Sequence, residues 1–350
     1  MEVKLIDEAM YAETMKATVR PTLAKCRAEG WLAPSRADRL AKLRHPGLLH
    51  YVCYDASRFD SLDVAGAAGE FRGAVVISHG FTEFAERFEE LAWYLLLDGY
   101  SVCILEHRGH GFSPRDVSDE SLVWIDDWHR YVDDLAKFCS LIGKRYAKDA
   151  PLYLYGHSMG GGVAAALLQE HPTLIDKAVL SAPMIAPKTG MPLWFAPMVT
   201  ETACAIGLSR HIAPTQQRFS EEFDADFYEG LSLERARWVH ELRREHVEYH
   251  TNAATFGWVN QGLRMSRALL KPEACERIET PILAFQAEQD RYVLLKPQDR
   301  FIRQVQEGGC PATLVKLEGS HHEMTTERNE VMERYIGRML EFLRTPIIEE

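Results

Sequence analysis

The chain has 350 residues, of which 46% are hydrophobic and 26% are charged, and its formal net charge is −11 at pH 7. These fractions are typical of a folded globular protein and exclude the disordered and disulfide-dense classes. The negative net charge opposes broad contact with nucleic acid or anionic lipid, so we expect no nucleic-acid partner.

The first seventy residues or so are predicted to form one or two helices, followed by an edge hairpin near residues 48–54. One face of the first helix carries four apolar side chains, Ile6, Met10, Met15 and Val19. We expect this face to pack against the rest of the protein. Transient contact with a membrane surface is the alternative.

Several short apolar runs follow, each ending in turn residues and separated from the next by helical patterns. Their apolar residues are mostly continuous, as in parallel strands that are covered on both faces. The alternation of strand and helix predicts a doubly wound, mostly parallel α/β sheet. The predicted strands are 74–78, 101–105, 152–155, 178–180, 281–285 and 312–317, and the helices include 87–97, 125–144 and 162–170.

The alternation stops between residues 184 and 271, where helical patterns, prolines and aromatic residues occur without a convincing strand. This pattern predicts a helical lid over an apolar pocket, inserted before the last two strands. A small helical subdomain that buries its own aromatic side chains is the alternative. The predicted bounds are 1–183 for the N-terminal helices, edge hairpin and first part of the core, 184–271 for the lid, and 272–350 for the second part of the core.

The predicted strand at residues 152–155 leads into Gly156-His157-Ser158-Met159-Gly160, which has the pattern G-x-S-x-G. A strand before this pattern and an alanine-rich helix after it are what a nucleophile elbow requires. Such a turn holds its serine in a strained backbone conformation and lifts the hydroxyl above the edge of the sheet. The sequence therefore predicts Ser158 as a catalytic nucleophile.

A serine nucleophile needs a general base, and the base needs an acid that orients it. Both should follow the serine, the acid first, each just past a strand end. The strand at 281–285 is followed by Glu288 and Asp290, and the strand at 312–317 by His321 and His322. The spacing alone leaves both choices open. A metal site at residues 321–323 is not expected, because no further ligand stands at helical spacing.

Two backbone N–H groups are expected to bind the oxyanion that forms during attack on a carbonyl. One is the N–H of Met159, the residue after the nucleophile. The other belongs to the loop after the strand at 74–78. We expect the N–H of Phe81 there, since Gly80 allows a close approach of the backbone.

In combination, these motifs resemble the lysophospholipase and monoacylglycerol lipase branch of the α/β hydrolases, over roughly residues 45–345. The likeness lies in residues 79–83, 107–113, 156–161, 290–291 and 319–323. It implies an α/β-hydrolase fold. It also implies His322 as the base, in a G-x-x-H pattern, and Asp290, which precedes Arg-x-Val, as the acid.

Other positions refine the resemblance. Residues 255–258 are similar to a lid segment of bacterial lysophospholipases, and we expect the aromatic residues Trp194, Phe256 and Trp258 to bind substrate. Glu106 stands where the branch usually has aspartate, and Phe84 stands where it often has histidine. Both positions lie outside the triad.

The resemblance and the triad order together predict a serine hydrolase that cleaves carboxylic esters through an acyl-enzyme. The implied substrate is a single-chain acyl lipid, either a lysophospholipid or a monoacylglycerol. A short-chain carboxylesterase or an aminopeptidase-like hydrolase would share the triad and differ in its pocket. An acyltransferase and a non-catalytic ligand-binding protein are further alternatives. No cofactor and no metal are expected, and the oligomeric state cannot be predicted from the sequence.

Seven cysteines are scattered along the chain without a C-x-x-C pair, which is typical of reduced thiols. The first residues mix acidic and apolar side chains and do not resemble a signal peptide. No run approaches the roughly 18 consecutive apolar residues that a membrane span needs. We therefore expect a cytoplasmic protein.

Overall fold

The structure, a computed structural model, describes residues 4–35, 47–192 and 194–346. The strands in these residues are β1 (Arg27–Leu32), β2 (Leu49–Tyr54), β3 (Gly73–Ser78), β4 (Tyr100–Leu105), β5 (Leu122–Val123), β6 (Leu152–His157), β7 (Lys177–Ser181), β8 (Ala253–Ala254), β9 (Ile282–Gln289) and β10 (Ala312–His321).

The α-helices are α1 (Tyr11–Thr14), α2 (Arg20–Cys26), α3 (Ala56–Asp60), α4 (Glu89–Leu97), α5 (His129–Phe138), α6 (Lys144–Ala147), α7 (Ser158–Glu170), α8 (Ala196–Ala205), α9 (Leu233–Glu245), α10 (Phe256–Leu269), α11 (Pro272–Cys275), α12 (Leu295–Glu307) and α13 (Asn329–Arg344). Short 3₁₀ segments are Glu8–Met10, Ala85–Phe88, Asp226–Tyr228, Val247–Tyr249 and Met324–Thr326, and π-helical segments are Met15–Val19 and Cys139–Gly143.

Eight strands form one sheet in the order β1-β2-β4-β3-β6-β7-β9-β10. The β1–β2 and β2–β4 pairs are antiparallel, whereas the remaining neighbours in this sheet are parallel. Ser78 at the end of β3 pairs with Gly156 near the end of β6. The prediction of a mostly parallel α/β sheet is confirmed, and the carboxyl ends of its central strands meet at one edge.

Apolar side chains cover both faces of this sheet, because successive residues of a strand point to opposite faces. In β3, Val75 and Ile77 pack in one apolar cluster together with residues of α4 and α13. Ala74 and Val76 pack in the other cluster, with residues of α5 and α7. The two helical layers hold the strand ends, on which the motif residues lie, in a fixed arrangement.

The last two strands extend further than their apolar runs predict. β9 continues through polar residues to Gln289, and β10 continues to His321. The β9–β10 register shifts between Leu317 and His321. Such an irregularity cannot be predicted from a strict alternation of residues along a strand. These extensions carry the chain directly to Asp290 and His322 at the same edge of the sheet.

The N-terminal helical segment packs against the body of the protein. Ile6, Met15 and Val19 are buried in one of the two apolar clusters, and Met10 is 46% exposed. Transient contact of the protein with a membrane surface stays a prediction. Among the described residues, no helix has both the length and the apolar character needed to span a membrane.

The expected edge hairpin corresponds to β2, which pairs with β1 on one side and with β4 on the other. The strand at the edge of the sheet is therefore β1. Residues 27–32 carry no strong apolar alternation, so the sequence pattern did not predict this strand. Residues 36–46, within the N-terminal part of the chain, lie outside the described residues.

The helical insert, residues 184–271, contains α8, α9 and α10. It also contains β8, which pairs with β5 over two residues, so the expectation of no strand is wrong there. Its aromatic side chains have two kinds of partner. Phe219 stacks on His250 within the insert, at 4.4 Å between ring centroids, whereas Tyr249 stacks on Phe84 of the body at 4.0 Å. The function of this insert as a lid stays a prediction.

Candidate active site

Ser158 lies at the sharp turn between β6 and α7. Its φ is +50°, a left-handed conformation that a residue with a side chain seldom adopts. A Cβ on Gly160 would lie 2.0 Å from the carbonyl oxygen of Ser78, so only glycine fits two residues after the serine. The turn places the Ser158 hydroxyl at the carboxyl edge of the sheet.

His322 follows β10, and its ring lies beside the serine. Nε2 is 2.7 Å from Oγ of Ser158, and Nδ1 is 2.7 Å from Oδ2 of Asp290. Because an ionised carboxylate can only accept, Nδ1 carries the proton and Nε2 is free to accept from the hydroxyl. The structure thus brings together the serine, imidazole and carboxylate that nucleophilic catalysis requires.

Asp290 is held by three hydrogen bonds. Its Oδ1 accepts from the N–H groups of Tyr292 and Val293, both at 2.8 Å, while Oδ2 faces His322. Burial raises the pKa of Asp290, but the hydrogen bond from His322, the electrostatic interaction with that ring and the two N–H groups outweigh burial and lower that pKa. An ionised Asp290 can orient the imidazole and stabilise its protonated form.

The other candidate acid, Glu288, and the other candidate base, His321, form hydrogen bonds or ion pairs away from the serine. Glu288 accepts a hydrogen bond from the N–H of Gly319 at 2.7 Å. Nδ1 of His321 lies 3.2 Å from a carboxylate oxygen of Glu327. Neither side chain is directed at the serine.

The two predicted oxyanion donors belong to α7 and to the loop after β3. Met159 is the second residue of α7, and the first four N–H groups of a helix have no intrahelical acceptor. Phe81 follows Gly80, and a Cβ on Gly80 would lie 3.1 Å from Cβ of Ser158. The loop after β3 therefore passes directly against the serine. The role of these N–H groups stays a prediction.

A small apolar pocket adjoins Met159. Its walls combine residues of the body with residues of the helical insert, and none of them is charged. The lining residues are Ile125, Trp128, Tyr131, Met159, Met184, Trp258, Gln261, Gly262 and Met265. A wall of this kind suits a hydrocarbon chain.

The three aromatic residues predicted to bind substrate lie in different surroundings. Trp258 lines the pocket, and its ring lies 4.4 Å from that of Phe81. Thr255 caps α10 by accepting from the N–H of Trp258 at 3.2 Å, which fixes where the helix begins. Phe256 is half-buried, and Trp194 is 79% exposed. Substrate binding by these three residues stays a prediction.

Four charged side chains next to the triad were not singled out from the sequence: Glu83, Arg87, His157 and Glu323. Nδ1 of His157 lies 3.0 Å from Glu83, and Nε of Arg87 lies 2.6 Å from the same carboxylate. Arg87 also pairs with Glu323. Their position in the sequence could have indicated a role at the site, since three of the four lie inside the motif segments at 79–83, 156–161 and 319–323.

Glu83, His157 and Glu323 also have ligand atoms within 4.8 Å of one another, close enough for one metal ion. However, Arg87 already pairs with both carboxylates, and the ring nitrogens of His157 already contact Glu83 and the carbonyl oxygen of His322. A metal ion would have to displace this guanidinium. The expectation of no metal stays a prediction.

Comparison with known proteins gives a consistent set of relatives. The model of the serine aminopeptidase S33 family matches residues 69–329. Lysophospholipase L2 of Escherichia coli is 27% identical over 296 residues, which cover 77% of this chain and 79% of that protein. Monoglyceride lipase of Mus musculus is 32% identical over 120 residues, covering 34% of this chain and 37% of that protein.

A crystal structure of a soluble variant of Saccharomyces cerevisiae monoglyceride lipase superposes with a TM-score of 0.64 at 19% identity. The match covers 87% of this chain and 93% of that chain. A likeness at this identity concerns the fold, and it confirms the predicted α/β-hydrolase class.

Proposed function

The chain belongs to the serine aminopeptidase S33 family of α/β hydrolases, and we propose that it is a serine ester hydrolase of the lysophospholipase and monoacylglycerol lipase type. One observation carries the proposal: His322 lies 2.7 Å from both Ser158 Oγ and Asp290 Oδ2. The named relatives support an acyl ester as the substrate.

In the proposed reaction, Oγ of Ser158 attacks the acyl carbonyl while Nε2 of His322 takes its proton. Asp290 holds the imidazole and stabilises its cation. The N–H groups of Phe81 and Met159 bind the oxyanion. The imidazolium then protonates the leaving alcohol, and a water activated by the same base releases the acid from the acyl-enzyme.

The pocket next to Met159 favours an acyl chain over a charged amine. An aminopeptidase has to bind the ammonium group of its substrate, and the described residues that line this pocket include no carboxylate. An apolar wall gains free energy from each methylene group that it removes from water, about 0.8 kcal/mol apiece. A single-chain acyl lipid is therefore the proposed substrate class.

A short-chain carboxylesterase is the second candidate, because the pocket next to Met159 has a cavity volume of only about 10 Å³, far below the roughly 300–1,000 Å³ usual for ligand pockets. Hydrolysis of p-nitrophenyl esters from acetate to palmitate, together with a lysophospholipid and a monoacylglycerol, separates the two. We expect kcat/KM to rise with chain length. A maximum at acetate would favour the second candidate, and no hydrolysis of any ester would overturn both.

Replacement of Trp258 by alanine is expected to lower kcat/KM for the palmitate ester by about 10- to 100-fold, with less than about a threefold loss for the acetate ester. The reason is that this indole forms part of the pocket wall, which a short acyl group does not reach. Trp31→Ala is the matched control, because Trp31 lies on β1 at the far edge of the sheet. Equal losses on both esters would contradict the role of the pocket in binding the chain.

We also propose that the protein is cytoplasmic and has no nucleic-acid partner. A cytoplasmic location is supported by the scattered cysteines, six of which are buried as small apolar side chains. The absence of a nucleic-acid partner is supported by the net charge of −11. Hydrolysis of esters by this triad needs no cofactor.

A further inference from the structure

His157, the residue directly before Ser158, directs both ring nitrogens at acceptors. Nδ1 lies 3.0 Å from Oε2 of Glu83, and Nε2 lies 3.1 Å from the backbone carbonyl oxygen of His322. The ring is buried, as is Glu83. A neutral imidazole has a single N–H, so it could donate to one of these acceptors only. Satisfying both requires the imidazolium.

Glu83 is the counter-ion of this imidazolium. Its Oε2 also accepts the N–H of Gly80, and its Oε1 lies 2.6 Å from Nε of Arg87. Burial raises the pKa of Glu83, but the charges of His157 and Arg87 outweigh burial and lower that pKa. Burial lowers the pKa of His157, but the charge of Glu83 and its hydrogen bond outweigh burial and raise it to about 9. The ion pair therefore persists at neutral pH.

The groups joined by this pair belong to three different segments around the reaction centre. Gly80 precedes Phe81 in the loop after β3, His157 precedes the nucleophile, and His322 is the base. A Cβ on Gly80 would lie 3.0 Å from Nδ1 of His157, so the loop is packed tightly on the ring. The ion pair and the contacts of its two members therefore join these three segments directly.

The base is held on both sides by this network. His157 donates to the carbonyl of His322, and Arg87 pairs with the next residue, Glu323. Arg87 also donates to Oγ1 of Thr326 at 3.3 Å. The two positive charges and the two carboxylates of this network cancel, so the network as a whole is neutral and mostly buried.

We propose that His157, in its imidazolium form, is a positioning residue that fixes the distance between the nucleophile and its base, and that Glu83 ties the oxyanion loop to the same ring. This inference rests on the proposed function, because it assigns His157 a task in the reaction of Ser158. His157 acts through the backbone of His322. A misplacement of about 1 Å at reacting atoms lowers the rate about 100-fold.

The charge of His157 also acts on the base directly, since the two rings lie 5.2 Å apart between centroids. The other charged or titratable groups that act on His157 are Glu83, Arg87, Glu323 and His79. Because the pKa of His157 is raised, the imidazolium is present below about pH 9 and is lost as the pH rises through that value.

The test compares kcat and KM of the wild type, Glu83→Gln and His157→Gln on one p-nitrophenyl ester, between about pH 5 and about pH 10. We expect the kcat of the wild type to fall above about pH 9, and we call this fall the alkaline limb of the pH profile. In Glu83→Gln the alkaline limb should lie at lower pH, since an amide does not stabilise the imidazolium as a carboxylate does. His157→Gln should lower kcat about 10- to 100-fold with KM within about threefold. It should also lack the alkaline limb.

His50→Gln is the matched control. His50 and Glu106 form another buried imidazole–carboxylate pair, with Nδ1 2.8 Å from Oε2, and neither contacts the triad. We expect this variant to lower the Tm and to keep the kcat and pH profile of the wild type. An equal fall of kcat in His50→Gln would assign the effect to general loss of packing and overturn the positioning role.

Two further outcomes are decisive. Wild-type kcat and an unchanged alkaline limb in His157→Gln would also overturn the inference. If that variant does not fold, the pH profiles of the wild type and Glu83→Gln decide the question. An alkaline limb that moves to lower pH in Glu83→Gln supports the inference, and an unmoved or absent limb overturns it. Ser158→Ala in the same series separates the two proposals: full activity of Ser158→Ala means that the proposed function fails, whereas its inactivity beside a fully active His157→Gln means that this inference alone fails.

Discussion

Replacement of Ser158 by alanine is expected to lower kcat for p-nitrophenyl esters by about five to six orders of magnitude. The variant lacks the oxygen that forms the acyl-enzyme, and His322 then has no hydroxyl from which to take a proton. The pocket and the oxyanion donors are unchanged, so substrate binding should be largely retained. A small residual rate over water is expected from these remaining groups.

Steady-state hydrolysis checks this result, with Ser101→Ala as the matched control. Ser101 is buried on β4 of the same sheet, where its hydroxyl accepts from the N–H of Ala56 at 3.1 Å. Its loss removes a buried hydrogen bond and lowers stability by about 1–3 kcal/mol. The activity of the folded protein should not change. Retention of wild-type kcat in Ser158→Ala would refute the mechanism.

Replacement of Asp290 by asparagine is expected to lower kcat about ten-thousand-fold. The amide oxygen would continue to accept from the N–H groups of Tyr292 and Val293, so the amide NH₂ would face Nδ1 of His322. Nδ1 would then have to accept, and the proton of the neutral ring would move to Nε2, where it blocks transfer from Ser158. The variant therefore keeps the shape of the site, but the proton of His322 lies on Nε2 instead of Nδ1.

Glu288→Gln is the matched control for this variant, since Glu288 is the other carboxylate that the spacing left open. Its contact is with the N–H of Gly319, and an amide oxygen can accept that hydrogen bond equally well. We expect less than about a threefold change in kcat. A large loss in Glu288→Gln beside a mild loss in Asp290→Asn would show that the acid has been assigned to the wrong residue.

The sequence was sufficient for the central strands of the sheet and for the order of the motifs, but not for the edge strand β1. Continuous apolar runs marked the central strands because both faces of these strands are buried, and the G-x-S-x-G pattern marked the turn at Ser158. The choice between His321 and His322 depended on the resemblance. Spacing alone cannot settle it, because adjacent residues at a strand end point in opposite directions.

The charged network around His157 could not be predicted from the sequence. Its members come from three separated segments, and no periodicity relates Glu83 to Glu323 before the chain is folded. The same holds for the pocket, where Trp258 of the helical insert meets Phe81 of the body. Trp194 belongs to the same insert and shares its aromatic character, yet it is largely exposed, since composition does not determine which face of a segment is buried.

The most direct test of the account is to treat the wild-type protein with an alkyl fluorophosphonate and to locate the adduct by peptide mass spectrometry. We predict a single adduct, on Oγ of Ser158, and a much slower reaction in Asp290→Asn. An adduct on a different residue, or none under conditions in which the protein hydrolyses esters, would contradict the claim that Ser158 is the nucleophile.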